Sequence, residues 1–554
     1  MLSINKEKLL SEAKKHLTNI REKIEQNISY QELKNQKMQR STIGVPLGDA
    51  IAQMKILAYG QEKIEDLKQL HPSPYFAKCL FKTETEERNV YVGKFSFSEQ
   101  NIYSWITPVA ALRFENTGPA SYTRQNGTIK NGTILEKEQY LINDGKILFF
   151  SQETIKQPRE LIYQEHFTQK KPGFVLKEVV EQMEKAQDQV IRIHYHGPLV
   201  ITGPAGSGKT TLALHRVAYL IQSPETTNYF TPDKILILVQ DSGTKKYFSN
   251  LLPELGIKNL DIFTFSEWAQ QVLSITEYTF IRNHPLSESE NFSYQHTKLV
   301  ALRKNGIEKY NKNIYSLLSE IYTPFLNETQ NKIWEEQKKC KTVDRFDLTI
   351  LLGIYQKTFG NFQITKEYYE ETKTNTYRKK KGQFRTEYNL MILDEFQNYL
   401  PEQITILKGC LNNRMNSIVY VGDMAQKTLL GTINNWSDAN EQINSDRIIK
   451  MGKVYRNTKQ ILQYIRDQGY DIAIPEELKT GDNVKEIKIS DIEQTIEYLT
   501  KEINDTPDNS TVGILTNDSA VLTILKKKVK KNNIFVFSFQ ESQGVEFDNV
   551  YIVE

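Results

Sequence analysis

The sequence predicts a multidomain α/β protein organised around a parallel sheet, and three observations predict it. At 554 residues the chain is too long for one core, and ~100 to 200 residues per domain suggests three to five units. Three apolar runs, Pro198-Leu-Val-Ile-Thr, Lys234-Ile-Leu-Ile-Leu-Val and Tyr388-Asn-Leu-Met-Ile-Leu-Asp, are continuous rather than alternating, which is how strands covered on both faces read. The first of them enters a glycine-rich turn and then an amphipathic helix carrying Leu212, Leu214, Val217 and Ile221. Hydrophobic residues at 39%, charged residues at 25% and a mean hydropathy of -0.52 leave no room for a membrane-spanning stretch.

Residues 1–70 read as an antiparallel helical hairpin. Leu10, Ala13, Leu17, Ile20 and Ile24 recur at three- and four-residue steps, Gly44, Pro46 and Gly48 break the pattern, and Asp49 can cap a second helix striped by Ala50, Met54, Leu57, Ile64 and Leu67. A pair packed on the body and a projecting arm are equally compatible with that pattern. Residues 71–155 switch to short alternating segments (from Asn89 and from Phe95) with turn signals at Asn126-Gly127 and Asn131-Gly132, a small β-rich module. Residues 173–270 plus 388–430 form the sheet domain, and residues 271–387, mainly helical, with the basic cluster Arg378-Lys-Lys-Lys381, are an insertion within it. Residues 431–554 form a second α/β unit with strands at Thr511-Val-Gly-Ile-Leu and Ile534-Phe-Val-Phe-Ser.

Mixed charges at the N-terminus show no secretory pattern, and Cys79, Cys340 and Cys410 are too few and too dispersed for a disulfide framework or a zinc site, so a cytoplasmic setting is expected. His194 and His196 read as ordinary polarity rather than a metal pair. A net charge of +3 means that any nucleic-acid contact must come from local patches. Lys526-Lys-Lys-Val-Lys-Lys531 is such a patch, although runs of this kind are more often solvated helix faces.

The chemistry centres on Gly203, Pro204, Ala205, Gly206, Ser207, Gly208, Lys209, Thr210 and Thr211. Glycines let backbone N–H groups curl around phosphate oxygens, Lys209 reaches the outer phosphates, and the Thr210 hydroxyl can ligate magnesium. The following helix points its positive N-terminus at the same place. Asp394 and Glu395 end an apolar strand, where Asp394 would hold the magnesium shell and Glu395 would polarise the attacking water. ATP and Mg2+ are therefore the expected cofactors.

These blocks, with Asp394-Glu-Phe-Gln397, Val421-Gly-Asp423-Met-Ala-Gln426, Val454-Tyr455-Arg456 and Gly544-Val-Glu546-Phe-Asp, resemble the superfamily 1 helicases of the UvrD and Rep type. The resemblance implies two RecA-like domains. It implies that Gln187 reads adenine, with Arg192 closing the same run at the cofactor, that Tyr455 stacks on the base and that Glu546 holds the ribose. It makes Gln426 the γ-phosphate sensor and Arg456 the arginine that neutralises transition-state charge. A closer resemblance is to the HelD family of motor ATPases that recycle RNA polymerase, through Tyr91-Val-Gly-Lys, Trp105, Pro108-Val109, Phe114, the run from Gly203 through His215 to Tyr219, Thr264-Phe-Ser-Glu-Trp-Ala and Trp436.

The sequence departs from these patterns at Ser104-Trp-Ile-Thr-Pro, Asn398 and Gln543, and it stops at Glu554 on an apolar strand, before the block that supplies a second catalytic arginine. Where UvrD-type enzymes stack DNA bases on aromatic rings after the sensor glutamine, Leu429 and Gly431 stand here, and Val239-Gln-Asp-Ser-Gly-Thr replaces their strand-gripping block, so DNA stepping is expected to be weak. Three readings follow: a motor that pries core RNA polymerase from nucleic acid, a 3′-to-5′ DNA helicase or translocase, and an ATP-gated binding module with little turnover.

Overall fold

The computed structural model describes the chain except residues 1, 42–46, 125–127, 155–184, 205–206, 242–243, 246–247, 250–251, 254, 305, 308, 312, 372–376, 452–457, 471–473, 475–479, 490, 506–511, 529–533, 540–546, 548 and 554. Two helices open it, α1 (Leu2–Ser41) and α2 (Leu47–Leu70). The second begins ahead of Asp49, the expected cap. The α1 seam Ala13, Leu17, Ile20 and Ile24 is buried with Leu67 and Leu70 of α2 against Tyr75, Tyr91, Phe97 and Tyr140. Beyond that seam the stripe turns outward: Tyr30, Leu33, Met54 and Tyr59 are all more than half exposed. The hairpin is docked at its base, and away from that base its side chains are open to solvent. Gly60 lets the projecting helices stay paired, because a Cβ there would collide with the Asn35 side chain.

The β-rich module is a six-stranded sheet of β1 (Ala77–Lys82), β2 (Glu87–Gly93), β3 (Ile102–Ser104), β4 (Gly118–Thr123), β5 (Ile129–Asn143) and β6 (Lys146–Thr154). Asn131-Gly132 is no turn; both residues lie inside β5, paired with Ser121 and Ala120, because the chain reverses earlier, between Arg124 and Thr128. The segment from Phe95 is likewise not a strand but a bridge at Phe97 leading into a short helical turn.

The sheet domain follows with α3 (Lys185–Arg192), β7 (Gly197–Thr202), α4 (Lys209–Gln222), β8 (Ile235–Val239), β9 (Ile262–Thr264) and α5 (Phe265–Leu273). The insertion packs α6 (Glu288–Lys304), α7 (Ile314–Tyr322), α8 (Glu328–Lys339) and α9 (Arg345–Phe359) around a short parallel pair, β10 (Thr279–Phe280) and β11 (Thr342–Val343). It ends in an antiparallel ribbon, β12 (Gln363–Glu371) and β13 (Tyr377–Arg385), which carries the basic cluster. Then come β14 (Leu390–Asp394), α10 (Pro401–Lys408) and β15 (Ser417–Gly422).

All six strands of the central sheet are parallel, in the order β16-β7-β15-β14-β8-β9, where β16 is Ile448–Lys450. That last strand corrects the expected boundary at residue 431: residues up to 450 belong to this sheet, held by Arg447, whose guanidinium donates to the Pro198, Gly197 and His194 carbonyls. The two faces of the sheet are covered by different parts of the chain, as strand alternation requires. Val200, Leu236, Leu238, Met391, Leu393, Ile418 and Tyr420 face the insertion. Leu199, Ile201, Ile237, Ile392 and Val421 face α4 and, through Phe76, Val92 and Trp105, the β-rich module. A second parallel sheet, β18 (Ile534–Phe537), β17 (Val512–Thr516) and β19 (Asn549–Val553), packs with α12 (Ile492–Asp505) and α13 (Ser519–Lys528), while α11 (Lys459–Asp467) precedes them.

The insertion is centred on a buried ion cluster. Lys298, fully buried, donates to Asp344 Oδ2 at 2.6 Å, Asp347 Oδ1 at 2.9 Å and Gln337 Oε1 at 2.9 Å, under the rings of Tyr294, Tyr322 and Trp334. Burial alone would lower the Lys298 pKa, but Asp344 and Asp347 outweigh it and hold the ammonium charged. Removing one member leaves the others as uncompensated buried charges. Lys298→Met is therefore expected to cost about 3 to 5 kcal/mol in denaturant unfolding; a loss under about 1 kcal/mol would mean the cluster is not needed to hold the insertion together.

Candidate active site

The C-terminal ends of β7, β14 and β15 lie side by side, which brings together three segments far apart in sequence. The turn after β7 needs glycine at two described positions: Gly203 has φ +154 with the Met451 carbonyl against it, and Gly208 has φ +82. Lys209 and Thr210 open α4, so both sit at its positive end. Lys209 is buried and its Nζ donates to the Pro204 carbonyl at 3.0 Å. The Ser207 hydroxyl, 1% exposed, has no hydrogen-bond partner among the described residues. Ala205 and Gly206 lie outside the described residues.

The Thr210 hydroxyl donates to Asp394 Oδ1 at 2.9 Å. Octahedral magnesium with bonds of about 2.0 to 2.1 Å places neighbouring ligand oxygens about 3 Å apart, so this pair fits one edge of such a shell. Burial, and then the charge of Glu395, push the Asp394 carboxyl up to about 8. A carboxylate this short of positive charge is matched by a cation, and the residues present fit magnesium on both counts.

Glu395 follows with φ +50, a left-handed backbone that costs a non-glycine residue about 1 kcal/mol or more and turns the side chain out of the strand. Its carboxylate accepts from Gln397 Nε2. Gln397 is fully buried, and its Oε1 accepts the Asp423 backbone N–H at 3.0 Å. It thus bridges the β14 and β15 loops, a role its place in the Asp394-Glu-Phe-Gln397 block did not reveal. Gln426 stands in the β15 loop with its amide donating to Asp423 Oδ2 at 2.8 Å. Trp436 stacks on Phe396 at 4.9 Å and closes the floor below. Asp241, at the end of β8, also adds negative charge around Asp394, and no motif in the sequence pointed to it.

Gln187 is half-buried in the first turn of α3. Arg192, expected at the cofactor, is placed otherwise. Its guanidinium donates to Asp188 Oδ2 at 2.8 Å and to the Ile106 and Trp105 carbonyls at 3.1 Å each, and it lies over the Tyr219 ring. The motif run carries no sign of this, because the partners come from the β-rich module, 86 and 87 residues earlier. Tyr455, Arg456 and Glu546 lie outside the described residues.

Three expectations follow. Lys209→Ala is expected to weaken ATP binding about tenfold or more, since it removes a charge-assisted contact. Glu395→Gln keeps the shape, so it should bind ATP like the parent while phosphate release falls roughly a hundredfold to ten-thousandfold; fluorescent-nucleotide binding beside phosphate release separates the two, and parental turnover in Glu395→Gln would remove that residue from the chemistry. Arg192→Met should leave ATP affinity within about threefold while lowering stability by about 1.5 to 3 kcal/mol, the worth of hydrogen bonds to a charged group; a tenfold loss of ATP affinity would return it to the nucleotide.

Comparison with known proteins follows the same division of the chain. Residues 183–443 match the model of the UvrD/REP helicase N-terminal domain, and residues 7–166 match that of the DNA helicase IV HelD N-terminal domain. The ATP-dependent DNA helicase PcrA of Staphylococcus epidermidis is 21% identical over 378 residues, which cover 64% of this chain and 50% of PcrA. The probable DNA helicase II homolog of Mycoplasma capricolum is 24% identical over 287 residues, 48% of this chain and 38% of that protein. The chain spans half or less of the length of these relatives. The two model matches cover the hairpin with the β-rich module and the parallel-sheet domain in turn, so the first region is similar to the HelD N-terminal domain and the second to the N-terminal domain of the UvrD/Rep-type helicases.

Proposed function

We propose that this chain is a magnesium-dependent ATPase motor whose nucleotide-driven movement remodels RNA polymerase bound to nucleic acid. Lys209 would hold charge on the outer phosphates, Thr210 and Asp394 would hold the magnesium, which shields phosphate charge, and Glu395 would orient the attacking water. Gln397 ties the position of Glu395 to the β15 loop, so a change at Gln426 is transmitted to the water-polarising carboxylate through one buried amide.

The observation that carries the reading is the continuity of the N-terminal module with the phosphate-binding helix. Trp105 packs edge-on against His215 of α4 at 5.5 Å, in one core with Leu212, Leu214 and Val217. Burial pushes the His215 imidazole down to about 4, so it sits there neutral, its Nδ1 paired with the Thr211 carbonyl at 2.7 Å. A movement of α4 therefore carries the module and its projecting hairpin, whose exposed Tyr30, Leu33, Met54 and Tyr59 would meet the partner.

The similarity to PcrA, a DNA helicase by name, favours a second reading, a 3′-to-5′ DNA translocase. Against it, position 431 has no room for a stacking ring: Gly431 has φ +75, and a Cβ would lie 2.5 Å from Leu299 Cδ2. Core RNA polymerase incubated with the tagged chain is expected to be recovered in a pull-down, with ATP changing the amount, while strand displacement on a 3′-tailed duplex stays weak. No polymerase recovered with or without ATP, alongside efficient unwinding, would replace the first reading by the second.

A further inference from the structure

The ribbon β12–β13 plays no part in the site described above. It is rooted where Thr386 donates its N–H to the Phe362 carbonyl at 2.8 Å, with Phe362 buried beside Trp268 and Tyr355. From there β13 runs into β14 at its Leu390 end, whereas Asp394 stands at the other end of that strand. The root therefore lies at the edge of the sheet opposite the nucleotide. Nine register pairs, from Gln363 with Arg385 to Glu371 with Tyr377, extend it to about 30 Å at about 3.4 Å per residue.

Its charge sets it apart from the rest of the molecule. Residues 363–385 hold seven basic residues against three acidic ones, a net +4, while the whole chain is +3, so everything outside the ribbon amounts to -1. Glu367 and Glu370, already counted in that net charge, stand in register with Lys381 and Arg378. Arg378, Lys380, Lys381 and Arg385 are all exposed, and the ribbon stays open down to Phe384, 42% exposed. Successive residues of a strand point to opposite faces, so Arg378 and Lys380 charge one face and Lys381 and Arg385 the other. A ribbon that lay on a flat acidic surface would use one face only. Cations on both faces suit a groove with phosphates along both walls, and the major groove of B-form DNA, about 12 Å wide, admits a two-stranded ribbon. The deep, narrow major groove of A-form RNA does not.

We propose that the β12–β13 ribbon is a duplex-DNA-binding arm that enters the major groove and contacts phosphates on both sides through Arg378, Lys380, Lys381 and Arg385. The contact is electrostatic and sequence-tolerant, and it holds DNA at the sheet edge away from the nucleotide. It is independent of which assembly the motor acts on.

The test compares the full chain with Arg378→Gln/Lys380→Gln/Lys381→Gln, three exposed substitutions with no hydrophobic burial to disturb, after matched melting curves verify that both are folded. Fluorescence anisotropy with a labelled 20-base-pair DNA duplex is read across a salt series. The variant is expected to bind at least tenfold more weakly near 100 mM salt, with a log–log salt slope shallower by about two to three, because each lost phosphate contact removes about 0.9 from it. Double-stranded RNA and single-stranded DNA of the same sequence should change far less. Unchanged duplex affinity and slope, no duplex binding by the parent at low salt, or an equal loss on all three nucleic acids would overturn the proposal; so would a loss confined to core RNA polymerase, which would make the ribbon a protein contact. Phosphate release without nucleic acid is expected to match in parent and variant, and its absence from both would count against the ATPase reading alone.

Discussion

Arg216 is the residue on which the arrangement of the nucleotide domain turns. It is fully buried on α4 and donates to the carbonyls of Val190, Ile191, Ile193 and His194. Val190 and Ile191 lie in the last turn of α3 and Ile193 and His194 just past its end, so the guanidinium sits at the negative pole of that helix. Burial, then the nearby Arg447, push the guanidinium down to about 9, yet it stays protonated at neutral pH. A charge in that place is tolerable only because several carbonyl dipoles converge on it. One side chain thereby fixes the helix carrying Gln187 against the helix carrying Lys209 and Thr210, and Arg447 repeats the grip from β16 on the loop that leads into β7.

From that clamp, order spreads in two directions. Towards the N-terminus, the core around Trp105 and His215 makes the β-rich module one packed body with α4, and Arg192 adds hydrogen bonds across the seam. Towards the sheet edge, the Thr210–Asp394 bond and the Gln397 bridge align three loops. The electrostatics there are deliberately unbalanced. Glu395 and Asp241 crowd negative charge around the buried Asp394 carboxyl, and Lys209, whose Nζ donates to the Pro204 carbonyl, offsets only part of it. An arrangement of that kind gains from a divalent cation and a polyphosphate together more than from either alone.

The insertion solves a different problem, which is how to cover the opposite face of the sheet with a segment rich in polar residues. It does so by gathering Lys298, Asp344 and Asp347 into one buried network, in which Asp344 also caps α9 through the Phe346 and Asp347 N–H groups. The same segment reaches the β15 loop, where Arg303 and Arg345 donate to the carbonyls of Gly431 and Leu430. The loop that would carry stacking rings in a DNA-stepping enzyme is here pinned from above.

The sequence by itself determined the parallel sheet, the glycine turn between β7 and α4, the acidic strand end and the helical seam of the hairpin. Each rests on local physics: continuous apolar runs, glycines at positive φ and three- and four-residue spacing act within a few residues of one another. Those local rules also misled. Asn131-Gly132 has the chemistry of a turn but is held in β5 by pairing with Ser121 and Ala120 of β4, and Arg192 sits in a motif run yet donates to two carbonyls of another module. Continuous hydrophobicity in the strands said that both faces are covered. Only the tertiary structure decided that the insertion covers one and the N-terminal module the other, that Gln397 links Glu395 to the Asp423 loop, and that β16 joins the first sheet. Such pairings join residues tens to hundreds of positions apart, and no local pattern encodes which distant partner will satisfy a buried donor.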